Sequence, residues 1–417
     1  MRVYFHTFGC KANQYDTELV RQALEQTGAV AVADPTAADV AIVNSCTVTH
    51  TGEAKMRGFV RRLRRGQPGI RTVVMGCAAA LDDGTIAGLP GVSDVIGGSD
   101  PRAVLSALGN ATHQVDPVLR RFSRGARAWV KIQDGCDEHC TFCATTLARG
   151  ANRSRQPEEI VREAEGLADR HEELVLTGVH IGTYGRDLDG WSLSRLVGEL
   201  IDRVPRVRVR LSSVEATEVD ERLEDLMVAA PDRLAPHLHA PLQSGSDAVL
   251  KRMGRHWYTA RSYRERCEAL ARRLPVFGLG ADVIVGFPGE GEEDHRATHR
   301  LIESLPFTYL HVFPYSERPD APARRLGGPV GPEETAARSA ELRELADRLG
   351  RRHVEGRVGQ TADVVVLGRR RGRFWGVTED YLDVYLPTTS NPPSRFRARL
   401  GAVCDGGLQV ETIPDLW

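Results

Sequence analysis

Residues 130–155 read VKIQDGCDEHCTFCATTLARGANRSR. Cys136, Cys140 and Cys143 stand there in a C-x3-C-x2-C pattern, just past a strand-like run at Ala128–Ile132. Three thiolates this close on one loop can grip one face of a cubane iron–sulfur cluster. A fourth cysteine would complete an electron-transfer site, and none is near. The fourth iron is then open, and an open iron can chelate the amino and carboxylate groups of S-adenosylmethionine. An electron from the cluster breaks the sulfonium and releases a 5′-deoxyadenosyl radical. The competing readings are zinc and inert thiols. Zinc prefers four ligands in paired C-x2-C knuckles, and here three cysteines stand at unequal spacing. His139 could serve as a fourth ligand only by straining a short loop from inside. A disulfide would leave one cysteine odd.

The triplet resembles the signature of the radical-SAM superfamily. The flanking KIQDGC and RG-x-x-RSR segments resemble its methylthiotransferase branch.

The chain has 417 residues, enough for two or three domains. Its 41% apolar and 27% charged content is that of an ordinary globular protein. A net charge of −1 gives no global sign of a nucleic-acid binder, so contact with RNA must come from local patches. Eight cysteines, three in one tight loop, point to metal in a reducing compartment. MRVYFHTFGC has no basic flank before a long apolar run, so no signal peptide is read. No stretch approaches the roughly 20 apolar residues of a membrane span. A cytoplasmic protein without membrane contact is expected.

Residues 1–108 read as parallel βα units. Strands are expected at Arg2–Thr7, Val40–Asn44, Thr72–Met75 and Val95–Ile96, with helices at Asp16–Glu25, Gly52–Arg65 and Pro101–Leu108. Cys10, Cys46 and Cys77 each fall one to three residues past a strand. The carboxyl ends of parallel strands share one edge, where ligands bind. Topology alone therefore gathers three distant thiols into a candidate second cluster site, against the alternative of three unrelated core cysteines. The helix after Cys46 has an apolar stripe of Met56, Phe59, Val60 and Leu63. Its other face carries Lys55, Arg57, Arg61, Arg62, Arg64 and Arg65, which suits phosphate contact and a solvated face equally.

After a polar connector, strand and helix alternate from Ala128. Six strand candidates end at Ile132, Leu176, Leu211, Ala240, Val285 and Phe313. This predicts a partial (β/α)6 barrel with its active site at the carboxyl edge. Thr177 and Gly178, Ser213 and Glu215, and Gln243 and Ser244 follow successive strands on that edge. Glycine admits close backbone approach, and hydroxyls or carboxylates bind ribose and amino groups, so these six are candidate cofactor contacts. Simple turn chemistry is the alternative for each. Cys267 and Cys404 have no partner in sequence and read as small core residues.

From about residue 355 five short strands predict a small antiparallel β-barrel. Arg369, Arg370, Arg371 and Arg373 lie at one turn beside Phe374 and Trp375. Arg395, Arg397 and Arg399 alternate along a later strand. Basic groups beside aromatics fit RNA binding. A charged edge strand is the alternative.

The fold expected is thus α/β: an N-terminal Rossmann-like parallel unit (1–108), a central radical-SAM barrel (122–353) and a C-terminal antiparallel barrel (354–417). TFGCKANQYDTE, NSCTVT and MGC resemble the methylthiotransferase N-terminal block, and GVTEDYLDVYL resembles the TRAM module. The family resemblance covers essentially the whole chain. It implies that Cys10, Cys46 and Cys77 hold a second [4Fe-4S] cluster concerned with sulfur. It also implies two uses of S-adenosylmethionine, a tRNA substrate, and an electron carrier such as flavodoxin or ferredoxin. Cys10-Lys11-x-Asn13-Gln14-Tyr15-x-Thr17-Glu18 and LTGVHIGTYG are most similar to the branch acting on N6-threonylcarbamoyladenosine. The isopentenyladenosine branch and the branch modifying a ribosomal-protein aspartate are the nearer alternatives. A two-cluster electron carrier and a non-catalytic iron–sulfur or zinc RNA-binding protein are the more distant ones. Two departures from the family stand out. Thr177-Gly178-Val179 lacks the usual carboxylate, which leaves only its backbone for the methionine moiety. Ala144-Thr145-Thr146-Leu147 replaces an Ile-x-Pro segment beside the cluster. No residue is marked as a proton-transfer catalyst.

Overall fold

A computed structural model describes every residue except 48, 124, 319, 388–390 and 413–417, so Val48 of NSCTVT and residue 124 of the connector lie outside it. Val40–Ser45 is buried along its whole length. Such a strand needs cover on both faces, which parallel βα connection supplies. The strands β1 (Arg2–Thr7), β2 (Val30–Val32), β3 (Val40–Ser45), β4 (Arg71–Gly76) and β5 (Val92–Gly97) form one parallel sheet in the order β2-β1-β3-β4-β5. Short β2 has no counterpart in the sequence reading. The first helix is Lys11–Gln26, five residues earlier than its apolar spacing predicts. Its first turns bury Asn13, Tyr15, Asp16, Thr17 and Glu18 beside the expected Val20, Ala23 and Leu24. A helix covered on two sides does not show one apolar stripe.

The central unit opens with β6 (Arg127–Lys131) and a two-residue hairpin, β7 (Gln133–Asp134) against β8 (Arg153–Ser154), which ties off the cysteine loop. β9 (Glu173–Thr177), β10 (Arg208–Leu211), β11 (His237–His239), β12 (Gly278–Val285) and β13 (Tyr309–Pro314) follow, alternating with helices. They form two parallel three-stranded sheets, β6-β9-β10 and β11-β12-β13. Parallel bridges Val209–Leu234 and Ser213–His239 link the two. One hydrophobic core runs through the whole unit and contains Cys267.

The helix Pro332–Arg357 leads into a closed barrel of β14 (Thr361–Arg370), β15 (Arg373–Val377), β16 (Asp383–Leu386), β17 (Arg395–Cys404) and β18 (Gly407–Thr412). Its pairs are antiparallel except β16 with β18, which run parallel, a departure from the fully antiparallel expectation. The barrel has its own core, including Val364, Val384, Leu400 and Val410. Cys404 is half-buried on β17.

This barrel docks against the amino ends of the central strands. Glu173, the first residue of β9, is fully buried between Arg208 Nε (2.7 Å) and Arg210 Nε (2.9 Å). Arg208 also donates to Asp363, and Arg210 to the carbonyls of Thr378 and Glu379. Tyr381 packs on His237 and Tyr309, the first residues of β11 and β13. Arg395, expected on an RNA-facing strand, instead grips Asp363 and the carbonyls of Arg206 and Asp232. It belongs to this joint and not to an RNA face.

Burial opposes ionisation of Glu173, but the Arg210 and Arg208 charges outweigh it and hold the carboxyl well below the usual range. A depressed pKa contributes stability that is complete above the ordinary glutamate range and is lost as pH falls toward the folded value. Glu173→Gln should cost roughly 3–5 kcal/mol at pH 7, because it strands buried guanidinium charge. Denaturant unfolding of wild type and variant, repeated down the acid range, measures it. The gap should narrow only at strongly acidic pH, and a loss under about 1 kcal/mol would mean that the pair is solvated.

Candidate active site

The cysteine loop spans β7 to β8. Gly135 enters it at φ +71°, and a Cβ there would lie 1.9 Å from the Ala151 carbonyl oxygen, so only glycine fits. The Cys136 amide donates to the Gly150 carbonyl (3.0 Å) and the Thr141 amide to Met253 (2.9 Å). Each sulfur receives an N–H: Glu138 to Cys136 (3.4 Å), Arg255 to Cys140 (3.4 Å) and Thr145 to Cys143 (3.3 Å). N–H···S bonds of this kind stabilise cluster thiolates and tune cluster potential. Burial pushes the Cys140 thiol up to about 12, against the opposing charge of Arg255. Iron coordination deprotonates such a thiol outright. His139 is exposed.

His180 and Glu218 join the loop, and the sequence reading singled out neither. His180 Nδ1 lies 3.7 Å from Cys136 Sγ, and its Nε2 lies 2.9 Å from Glu218. Burial opposes its charge, but the bonds to Cys136 and Glu218 raise His180 to about 10. Gly182 of the GVHIG run makes room for this pair: a Cβ there would stand 1.9 Å from Glu218 Oε2.

Among the expected cofactor residues, Glu215 fits best. Arg255 bonds its Oε1 and also reaches Cys140, so Glu215 stands one residue from the cluster loop. Its Oε2 is buried with no partner, which fits an ammonium group of a bound cofactor. Burial raises this carboxyl and Arg255 opposes the rise. Ser213 is half-buried at the bridge to His239. Gln243 adopts φ +60°, a conformation rare for non-glycine residues and concentrated at functional sites. Thr177 is buried, and its carbonyl accepts from the Ile132 amide (2.8 Å). At two of these places protein groups already supply partners. The backbone beside Gly178 is taken by Gln133, whose Oε1 accepts from the amides of Val179 (3.0 Å) and His180 (2.9 Å). Ser244 is buried, pairs with Thr298 (3.3 Å) and accepts from the Ser246 amide (3.2 Å), so it holds a turn.

His239, Asp282 and His311 form a further group on β11–β13, unnoticed in sequence because its members are far apart. Asp282 Oδ1 is 3.2 Å from His239 Nε2 and 3.1 Å from His311 Nδ1. Tyr309 links His239 (3.1 Å) back to His237 (2.9 Å).

In the N-terminal sheet, Cys10 caps the first helix, Cys46 follows β3, and Cys77 follows β4. All three lie at the carboxyl edge, as expected. Cys10 and Cys77 each approach Asn13 Oδ1, at 3.8 and 3.9 Å. Gly9, at φ +101°, touches Cys46: a Cβ there would be 2.8 Å from its Cβ and 3.0 Å from its Sγ. Among the described residues, neither cysteine triplet has all three sulfurs mutually within 4.8 Å. One tetrahedral ion needs closer ligands, whereas a cubane carries its thiolates on separate irons.

Cys77 begins a short helix that packs on the helix Thr145–Arg149 just past Cys143, so the two cysteine sites are neighbours. Arg149 Nε donates to Cys77 Sγ across this contact (3.1 Å). The substituted Ala144–Leu147 segment thus forms much of this helix, with Leu147 exposed.

The four C-terminal arginines are partly committed. Arg370 pairs with Asp383 (2.8 Å) and lies over Trp375, and Arg373 pairs with Asp405 and lies over Tyr385. Arg369 lies over Phe374, and Arg371 is exposed at the turn, at φ +50°. A groove of about 770 Å³ runs from Trp375 and Leu367 past Trp129, Phe122 and Arg127 to His6 and Arg21 on the N-terminal unit.

Residues 2–98 match the family described as Uncharacterized protein family UPF0004, and residues 130–302 match the Radical SAM superfamily. The Threonylcarbamoyladenosine tRNA methylthiotransferase MtaB of Bacillus subtilis is 35% identical over 412 residues, 93% of this chain and 91% of that protein. The protein of the same name from Thermotoga maritima is 36% identical over 87% of this chain and 86% of its own length. The tRNA-2-methylthio-N(6)-dimethylallyladenosine synthase of Anaplasma marginale is 31% identical over 96% and 93%. Among solved structures, the radical S-adenosylmethionine methyltransferase TsrM from Kitasatospora setae superimposes with a TM-score of 0.57 at 17% identity, covering 75% of this chain and 74% of that one, a likeness of fold. With one triplet in each matched block and relatives above 30% identity across nearly its whole length, this chain belongs to the tRNA methylthiotransferase family of radical SAM enzymes.

Proposed function

We propose that the protein converts N6-threonylcarbamoyladenosine beside the tRNA anticodon to its 2-methylthio derivative. The observation that carries this reading is the contact between the two cysteine sites through Arg149, in a chain 35–36% identical to relatives named for that branch. The adenine C2–H is unactivated, and no side-chain base removes that proton at pH 7. A radical SAM cluster, when bound, supplies a carbon radical that takes the hydrogen atom instead. The chain's own residues then have defined work. Cys136, Cys140 and Cys143 hold that cluster. Glu215 and Arg255 orient the methionine end of S-adenosylmethionine beside it. Gln243, Ser213 and the Asp282 group line the same inner wall. Cys10, Cys46 and Cys77 hold a second [4Fe-4S] cluster as the sulfur site. Flavodoxin or ferredoxin supplies electrons. The units 1–108, 122–353 and 354–417 act as domains, and the reaction belongs in the cytoplasm. Among the described residues no helix is long and apolar enough to cross a membrane.

Nucleoside analysis of tRNA tests the substrate. Deleting the gene should remove 2-methylthio-threonylcarbamoyladenosine, and the chain should restore it. Restoration of only the isopentenyl analogue would assign the chain to the sister branch.

The two triplets should separate in function. Cys140→Ala should abolish 5′-deoxyadenosine release. The Cys10/Cys46/Cys77 triple alanine variant should keep about half the iron and still cleave S-adenosylmethionine, yet insert no sulfur. Iron assay and product analysis of anaerobic protein decide this. Undiminished iron in the triple variant would return these cysteines to the core.

The groove and the arginine turn fit RNA phosphates and stacked bases. Replacing Arg369, Arg370 and Arg371 together should weaken tRNA binding and flatten its salt dependence, by roughly one counterion per lost phosphate contact. Equal slopes for wild type and variant would mark the run as a solvated turn.

A further inference from the structure

The RG-x-x-RSR segment spans Arg149 to Arg155. Arg149 opens it and is 9% exposed. It ends the short helix that begins two residues after Cys143, so its backbone belongs to the radical SAM loop. Its side chain crosses to the other cysteine site. A guanidinium has five N–H donors in a fixed fork, and here all three nitrogens have acceptors. Nε donates to Cys77 Sγ at 3.1 Å. Nη2 donates to Asn13 Oδ1 at 2.6 Å and to Asp16 Oδ2 at 2.9 Å. Nη1 donates to Asp134 Oδ1 at 2.9 Å and to Asp134 Oδ2 at 3.1 Å.

The surrounding charges explain why the fork is held there. Asp16 and Asp134 face Lys131 and Arg149, two negative groups against two positive ones. The set is neutral and almost dry, so no charge is left to pull Arg149 away from the sulfur. Asn13 is fixed in turn by its Nδ2, which donates to the carbonyls of Phe8 and Ser45, both at 2.9 Å. The acceptor array for Arg149 is therefore in place before any cluster is considered. Lysine could not copy it, because an ammonium carries its three donors on one atom and cannot span acceptors on Cys77, Asn13, Asp16 and Asp134.

We propose that Arg149 is a positioning residue that couples the two cluster sites: it gives the Cys77 thiolate a fixed hydrogen bond and positive charge, raises the reduction potential of the N-terminal cluster, and locks that cluster's sheet to the radical SAM loop. The inference rests on the reading of Cys10, Cys46 and Cys77 as cluster ligands. Hydrogen bonds to sulfur and local charge are the protein's direct means of setting cluster potential. A residue that only packed the interface would leave that potential alone.

The test uses the full chain, anaerobically reconstituted, as wild type, Arg149→Lys and Arg149→Gln. Iron per chain is measured first, then the two cluster signals are followed by electron paramagnetic resonance during a redox titration. The signal that disappears in the Cys10/Cys46/Cys77 variant identifies the N-terminal cluster, and the signal of the other cluster is the internal reference. The midpoint of the N-terminal cluster should move to more negative potential in Arg149→Gln and by a smaller step in Arg149→Lys, which keeps the charge but not the fork. Limited proteolysis between the units should also quicken in both variants. If Arg149→Gln loses the N-terminal cluster, Arg149→Lys carries the measurement. An unchanged midpoint in a variant that retains both signals overturns the role assigned to Arg149. Iron for only one cluster in the wild type overturns the underlying two-cluster reading instead, so the two failures are distinguishable.

Discussion

Asp16 is a buried carboxylate on the first helix, held between Lys131 and Arg149 of the central unit. Much of the arrangement depends on that contact. The residues around it on the same helix behave alike. Gln14 accepts from Trp129 Nε1 (2.7 Å), Tyr15 donates to Glu163 (2.9 Å), and Glu18 accepts from Ser123 (2.8 Å). Glu163 also takes Arg155 and the Leu119 amide, so the connector between the units is drawn into the same joint. Buried ion pairs contribute little net stability, because desolvation offsets most of the attraction. Their strict demand for matched partners selects one docking register among many. Sliding the two units by one helical turn would strand several buried charges at once.

The central strands are used at both ends for different purposes. Their carboxyl ends carry the cysteine loop, His180, Glu215 and Gln243. Their amino ends carry Glu173, Arg208, His237 and Tyr309, which receive the C-terminal barrel. This division keeps the barrel's arginine turn away from the cluster loops while still fixing its orientation. Arg357 continues the second joint from the long helix, pairing with Glu379 (2.9 Å) and Asp380 (3.1 Å). Burial opposes the charge of Asp380, but its bond to His353 and the charge of Arg357 lower it to about 2. Both joints are therefore polar, buried and charge-matched, a pattern suited to holding units in fixed register.

What could be read in the chain follows from the range of each interaction. C-x3-C-x2-C is local, and its chemistry was visible at once. The placement of Cys10, Cys46 and Cys77 was visible because strand ends in a parallel sheet share an edge, whatever the distance in sequence. The start of the first helix was not, since Asn13, Asp16 and Glu18 are buried by partners more than 100 residues away or by another strand. Gln133, His180 and Arg255 were missed for the same reason: each acts through a contact between separate elements. Arg395 shows the opposite error, where regular alternation on a strand suggested a solvent face that a docked neighbour in fact covers. Ser244 lies in a turn on the expected edge, and there its hydroxyl pairs with Thr298 of the helix Glu292–Ser304.

A methylthiolation of carbon makes a demand that buried, charge-matched joints meet. On the function proposed above, hydrogen abstraction and sulfur delivery reach the same adenine carbon from two sites on two different sheets. Reacting groups gain from being held in place only when the placement is good to a fraction of an ångström or so. A hinge between the sheets would lose that gain, and an apolar contact that tolerates sliding would lose part of it. A neutral guanidinium site with acceptors for all three nitrogens, such as that of Arg149, tolerates neither, because any displacement breaks several hydrogen bonds in a largely buried place.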